Sequence, residues 1–139
     1  MNFNEFKLRI ESMDDCDRAK APATQETLVK IEKTLTIKFG PLLREYLLAY
    51  GYLGRRAVEL CGVNEVQKEL SDLVMTSKNL YEYAPQCRGF VVIDTIMDGQ
   101  RVLCDQNDRV YLEPIGEKLR PITLDQNVLD YMVGRLMKA

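Results

Sequence analysis

The hydrophobic period changes at Gly89, and that change limits what the chain can fold into. Up to about residue 88 the apolar residues recur mostly at helical spacing; from Gly89 through the following meander they alternate or run continuously, as in strands. Leu28, Ile31 and Leu35 lie at i, i+3 and i+7, one face of a helix. Thr24 is placed as its N-cap, and Glu26 in the first turn complements the helix dipole. Gly40-Pro41 ends that element and opens the next, because proline suits a first helical position. Leu42, Leu43, Tyr46, Leu47 and Tyr50 form the stripe of this second helix, and Gly51 suits its C-terminal cap. "AVELCG" (57–62) reads as a short strand with Val58 and Leu60 on one side. Leu73, Ser77, Leu80 and Ala84 then trace a further helix, capped by Ser71 or Asp72 and ended by Pro85.

Beyond the switch, "GFVVID" is apolar on both faces, as in the middle of a sheet. Asp98-Gly99 is a hairpin signal, and "QRVLCD" and "RVYLE" follow, with Pro114 and Gly116 ending the meander. Thr123-x-x-Gln126 matches a capping box. Leu124, Val128, Met132 and Arg135, joined by Leu136, trace a terminal helix. Near the start, Phe3, Phe6 and Ile10 fit a helix, whereas Phe6, Leu8 and Ile10 fit a strand; we favour the helix. The strand connections are too short for crossovers, so the pairing is antiparallel. The expected fold is α+β, one domain over 1–139: a strand plus a three-strand meander, packed with N-terminal, middle and C-terminal helices.

A chain of 139 residues supports a real core without metal or disulfides. The net charge is -2, with Lys and Arg interleaved among Asp and Glu, so no basic face for nucleic acid is expected. Mild acidity leaves room for a basic protein partner. No signal-peptide core or membrane-spanning run is visible, and the four cysteines form no CxxC pair. We therefore expect a cytoplasmic protein with reduced thiols, Cys61 and Cys104 serving as small core residues.

The chain contains no histidine. That removes Ser-His-Asp and Cys-His catalysis and most zinc, copper and non-haem iron sites. Its three serines, Ser12, Ser71 and Ser77, lie in no GxSxG elbow. No cofactor or metal is expected.

The cluster Asp105, Asn107, Asp108 invites a metal reading. An EF-hand beginning at Asp105 would need Gly sixth and Glu twelfth; Val110 and Gly116 stand there. A β-turn between strands is the better account, since Asn and Asp tolerate left-handed angles. Asp94 and Asp98 form a possible carboxylate pair, with Asp105 near the opposite strand end, yet no sugar or phosphate cradle accompanies them. Arg55-Arg56 reads as a solvated turn before an anion site. Tyr46 and Tyr50 fall in the core by helical phase; Tyr52, Tyr81 and Tyr83 are candidates for exposure, and tyrosine is favoured at interfaces.

The run "TLVKIEKTLTIKFGPLLREYLLAYG" resembles the opening of the SUKH superfamily, which includes a yeast cell-wall assembly regulator and many bacterial immunity proteins. Ile31-Glu32, Pro41 and Tyr46 carry the likeness. "VELCGV", "SDLVMTSKNL", "FVVIDTIMDGQRVLCDQNDRVYLEP" and "LDQNVLDYMVGRL" continue it over about residues 24–137. Tyr50-Gly51-Tyr52 replaces the usual polar-Gly-Gly, and tryptophan is absent. The resemblance implies a non-enzymatic domain that binds a protein, in bacteria a toxin domain such as a nuclease, and blocks it by contact. The alternative is a regulatory or scaffolding module without a toxin. Tyr52, Glu59, Tyr83, Asp94 and Asp105 are the expected partner-binding residues. Neither direct nucleic-acid binding nor a membrane is expected, and the oligomeric state is left open.

Overall fold

The computed structural model describes residues 1–113 and 121–139. The expected end of the meander at Pro114 and Gly116 lies outside the described residues. Helix α1 spans Phe3–Glu11, with the Asn2 side chain accepting the Glu5 N–H. Phe6 and Ile10 are buried while Leu8 is 70% exposed, which settles the phase: a strand would have buried all three on one face. Helix α2, Gln25–Leu35, starts at Thr24, whose hydroxyl accepts the Thr27 N–H, and closes on Thr36 in the left-handed region. Helix α3, Pro41–Ala49, is followed by Gly51 at φ +75°, the backbone state that lets the chain leave a helix sharply.

Between these helices lies a small antiparallel sheet that the hydrophobic pattern does not announce. Strands β1 (Cys16–Arg18), β2 (Leu53–Arg55) and β3 (Val58–Glu59) form it in that order. Val58 and Leu60 are buried, as their alternation requires, but the 57–62 strand pairs with β2 and not with the later meander. Helix α4, Asp72–Tyr83, follows and buries Leu73, Ser77 and Leu80.

The second sheet has four strands: β4 (Val91–Thr95), β5 (Arg101–Cys104), β6 (Arg109–Leu112) and β7 (Ile122–Asn127), all antiparallel neighbours. Asp98 and Gly99 both take positive φ in the β4–β5 turn. Strand β7 corrects the terminal-helix reading. Residues 122–127 are extended, and helix α5, Val128–Met137, begins only after Asn127, whose side chain accepts the Asp130 N–H. Thr123 and Gln126 therefore make no capping box; Asn127 is the better-placed cap because it sits directly before the buried run Val128, Leu129, Met132 and Val133.

Among the described residues, one edge of strand β4 meets no strand, and it is covered from within. Tyr81 Oη donates to the Phe90 carbonyl, and the Val92 N–H donates to Ser77 Oγ at 2.9 Å. A bulge between Val92 and Asp94 turns the Ile93 carbonyl outward to accept the Cys61 N–H at 2.9 Å. That bond joins the two sheets. Tyr81 is therefore a buried closing group, which corrects its reading as an exposed tyrosine. The shared core draws on all five helices and both sheets, with Tyr46 fully buried and its hydroxyl accepting the Leu53 N–H at 3.0 Å.

Candidate interaction surface

Two carboxylates expected to meet a partner, Asp94 and Asp105, are engaged by the fold. Asp94 is 1% exposed and accepts from Tyr131 Oη at 2.6 Å and Arg135 Nε at 2.8 Å. It ties β4 to α5, so it leaves the expected partner-binding set: a surface contact needs a surface side chain. Asp98 sits on the exposed turn, and the two make no working pair. Asp105 is partly buried and saturated, accepting the Asn107 and Arg109 N–H groups through Oδ1 and Tyr111 Oη through Oδ2. The turn reading of this cluster stands.

Asp108 does something that local sequence does not show. Its two oxygens accept the N–H groups of Leu42 and Leu43, both at 3.0 Å, so a turn residue caps α3 from 66 positions away. A Cβ on Gly40 would lie 2.2 Å from Asp108 Oδ1, so the approach requires glycine there. Burial raises the Asp108 carboxyl above its ordinary range, opposed by those two N–H donors.

The remaining expected residues divide. Tyr83 is exposed, with the Arg101 guanidinium over its ring at 6.0 Å, while Arg101 itself pairs with Glu113 at 2.7 Å. Tyr83 thus stands near one end of β5, and Asp105 follows the other. Asp105 helps to wall an open groove of about 890 Å³ whose rim carries Lys33 and Lys38. Glu59 lies on the three-stranded sheet, and Tyr52 directly precedes its middle strand. Glu59 is exposed opposite Gly54, and Gly54 is opposite Asp17.

Beside that sheet runs a short 3-10 segment over Glu65–Leu70, kinked at Gln67, with no buried residue. Val66 is 81% and Leu70 69% exposed. Lone exposed apolar residues need no explanation, but this segment is firmly held. Ser71 Oγ donates to the Gln67 carbonyl and accepts the Asn64 N–H; Asn64 Oδ1 accepts the Gln67 N–H. Glu65 Oε1 accepts the Thr24 N–H at 2.7 Å, and the Glu65 N–H donates to the Ala21 carbonyl. Partial burial pulls the Glu65 carboxyl upward, but hydrogen bonds from Thr27, Thr24 and Lys68 overcome it and hold it at about 2. The ridge separates two depressions. One, of about 430 Å³, lies against α2 and includes Ile31 and Val74; the other, of about 310 Å³, is lined by Tyr52 with Ala19 and Val66. Nothing in the sequence pattern marks Val66 and Leu70, because apolar residues four apart do not show whether anything covers them.

Thiol chemistry has no support in the geometry. Burial raises all four cysteines, Cys61 to about 12 and Cys104 well above its ordinary value, and a nucleophilic thiolate needs the opposite shift. Arg55, read as a solvated turn residue, donates to the carbonyls of Asp14 and Leu136 and so binds β2 to the end of α5. Among the described residues, no group of three or more His, Cys, Asp or Glu side chains is placed to hold a metal ion. No described helix is long and apolar enough to cross a membrane.

The features assembled here are those of a mixed α+β domain with an ordered apolar ridge on its outer side. A family model of the SUKH group, described as SMI1-KNR4 cell-wall, matches residues 7–114, and the chain belongs to this family. The match starts within α1, earlier than the resemblance traced from residue 24, and it ends before β7 and α5. No curated protein matches the chain.

Proposed function

We propose that the chain is a non-enzymatic, cytoplasmic immunity protein that binds a cognate toxin domain and blocks it by occlusion. The observation that carries this is the clasped ridge: apolar side chains held outward on a backbone fixed at both ends. A surface ordered in advance loses little conformational entropy when a partner covers it, so more of the contact energy appears as affinity. Family membership supports the direction, since the family fits an immunity-type role. A nuclease is the favoured toxin class, because its active surface is basic and this protein carries exposed carboxylates beside apolar contacts.

The test is co-expression with the protein encoded beside this one. Growth rescue and co-purification of the two chains are expected. A toxic neighbour that is neither neutralised nor bound sinks the proposal. A second reading, a regulatory interaction module, is favoured by the cell-wall description of the matching family; a neighbour without toxicity would move the balance to it.

A further inference from the structure

Asp17, Gly54 and Glu59 stand opposite one another across three adjacent strands, so their side chains share one face of the sheet. Leu53 and Val58, next to them in sequence, are buried on the other face, and Asp17 and Glu59 are exposed on either side of the buried Gly54. Gly54 puts no side chain between the two carboxylates. The row continues toward the ridge through Asp72, two residues beyond Leu70. Asp72 accepts the Gly62 N–H at 2.8 Å; its carboxyl is raised first by desolvation, against the N–H donors of Gly62 and Leu73, and further by the negative charge of Glu59. Glu59 and Asp72 therefore feel each other. Among the described residues, none of the three carboxylates lies within 4.0 Å of a cationic group.

Three neighbouring cations are turned elsewhere, while Lys20 lines the depression of Tyr52 and Val66. Arg18 lies over the Tyr50 ring at 5.0 Å, Arg55 is spent on two carbonyls, and Lys68 pairs with Glu65 at 3.3 Å. A patch of like charge without counter-ions thus adjoins an apolar ridge without a cover. Each half asks for a different group, and a single partner can supply both.

We propose that Asp17, Glu59 and Asp72, with Val66 and Leu70, form one recognition surface for a basic protein segment that presents an apolar side chain beside its cations. The groove between α2 and the ridge takes the apolar side chain; the carboxylate row takes the ammonium or guanidinium groups. The proposal rests on the interaction reading above and gives it a partner chemistry and an address. Exposed charge pairs contribute mainly to encounter rate and salt dependence, and the apolar contact to residence time.

The probe is a short fluorescent helical peptide of Lys and Leu, with a Glu and Leu peptide of the same pattern as its counterpart. The Lys peptide is expected to bind, more weakly as ionic strength rises, and the Glu peptide not to bind. The variant pairs V66S/L70S and D17N/E59Q, first checked for unchanged melting, are each expected to weaken binding about 10-fold, the loss of about 1.4 kcal/mol of contact. The proposal is overturned if the Lys peptide fails to bind, if the Glu peptide binds as tightly, or if either variant pair binds like the parent. The two proposals fail separately. A neighbouring toxin neutralised equally well by both variant pairs leaves the immunity reading intact and removes this surface. Peptide binding that depends on the surface, in a chain that neutralises no neighbour, does the reverse.

Discussion

Four carboxylates of the four-stranded sheet and its turns, and two of the three-stranded sheet, are the same chemical group put to opposite uses. Asp94, Asp105, Asp108 and Glu113 each face donors supplied by distant or adjacent backbone and side chains, and none is more than partly exposed. Asp17 and Glu59 face water and have no ion pair among the described residues. A buried carboxylate must be fully hydrogen-bonded to be tolerated, whereas an exposed one is stable in water and remains free for a partner. Burial, not residue type, separates the acids that build this fold from those that can meet another molecule.

The comparison breaks first at Asp94. D94N removes the charge that Tyr131 and Arg135 converge on, in a position with 1% exposure. Breaking a buried pair in this way costs several kcal/mol; because Arg135 keeps about 30% of its side-chain exposure and can turn to water, a loss of about 3 kcal/mol is expected. Urea denaturation measures it. A loss below about 1 kcal/mol would place Asp94 with the free carboxylates.

Asp108 comes next. D108A leaves two N–H groups of α3 without an acceptor and should cost about 2 kcal/mol. G40A drives a methyl into the same carboxylate and should cost a similar amount. The double variant should lose less than the sum, since the alanine at 108 removes the atom that the new methyl would strike. Strict additivity in a double-mutant cycle would show that the close approach is not the coupling.

How much of this was legible in the sequence follows from range. Periodicity located the five helices, since Leu28, Ile31 and Leu35 speak for themselves within a dozen residues. It placed Glu59 outward, because Val58 and Leu60 flank it and point in. It missed β1 and β2, whose three residues each contain too little alternation to register. At 122–127 a helix-capping pattern competed with strand pairing, and pairing to β6 won. The roles of Asp94 and Asp108 were out of reach, since their partners lie 37 to 66 residues away and only the folded chain brings them together. Nothing in the sequence marked Leu70, for the same reason: local pattern reports an apolar residue but not whether anything covers it.

Glu65 tests the boundary between the two regions, as a committed carboxylate on the outward side. Its proton affinity is lowered in the folded chain to about 2, from an ordinary value of 4.5. A carboxyl whose folded pKa is depressed contributes stability above its unfolded value and loses it as pH falls through the folded one. E65Q should therefore cost about 1 kcal/mol at neutral pH, discounted for its contact with solvent. The gap to the parent should close as pH falls from 4.5 toward 2. Asp108 has the opposite sign: raised in the fold, it favours the folded state at low pH and loses that contribution as pH rises above its ordinary 3.8. Stability measured against pH for E65Q and D108N should show one acid limb flattening and the other steepening.

The smallest expected effect is the most informative for function. D17N/E59Q and V66S/L70S alter side chains that are exposed and make no internal polar contact among the described residues, so each pair should change stability by no more than about 0.5 kcal/mol. The four substitutions would then isolate recognition from folding, which no change at Asp94 or Asp108 can do. A loss above 1 kcal/mol from V66S/L70S would mean that these residues already have a cover within the chain. The ridge would then belong with the committed half of the molecule, and its exposure would not mark an interface. If stability holds, the backbone clasp of Asn64, Ser71 and Glu65 is maintaining an apolar ridge that the folded chain does not itself need, and a partner is the physical reason to keep it ordered.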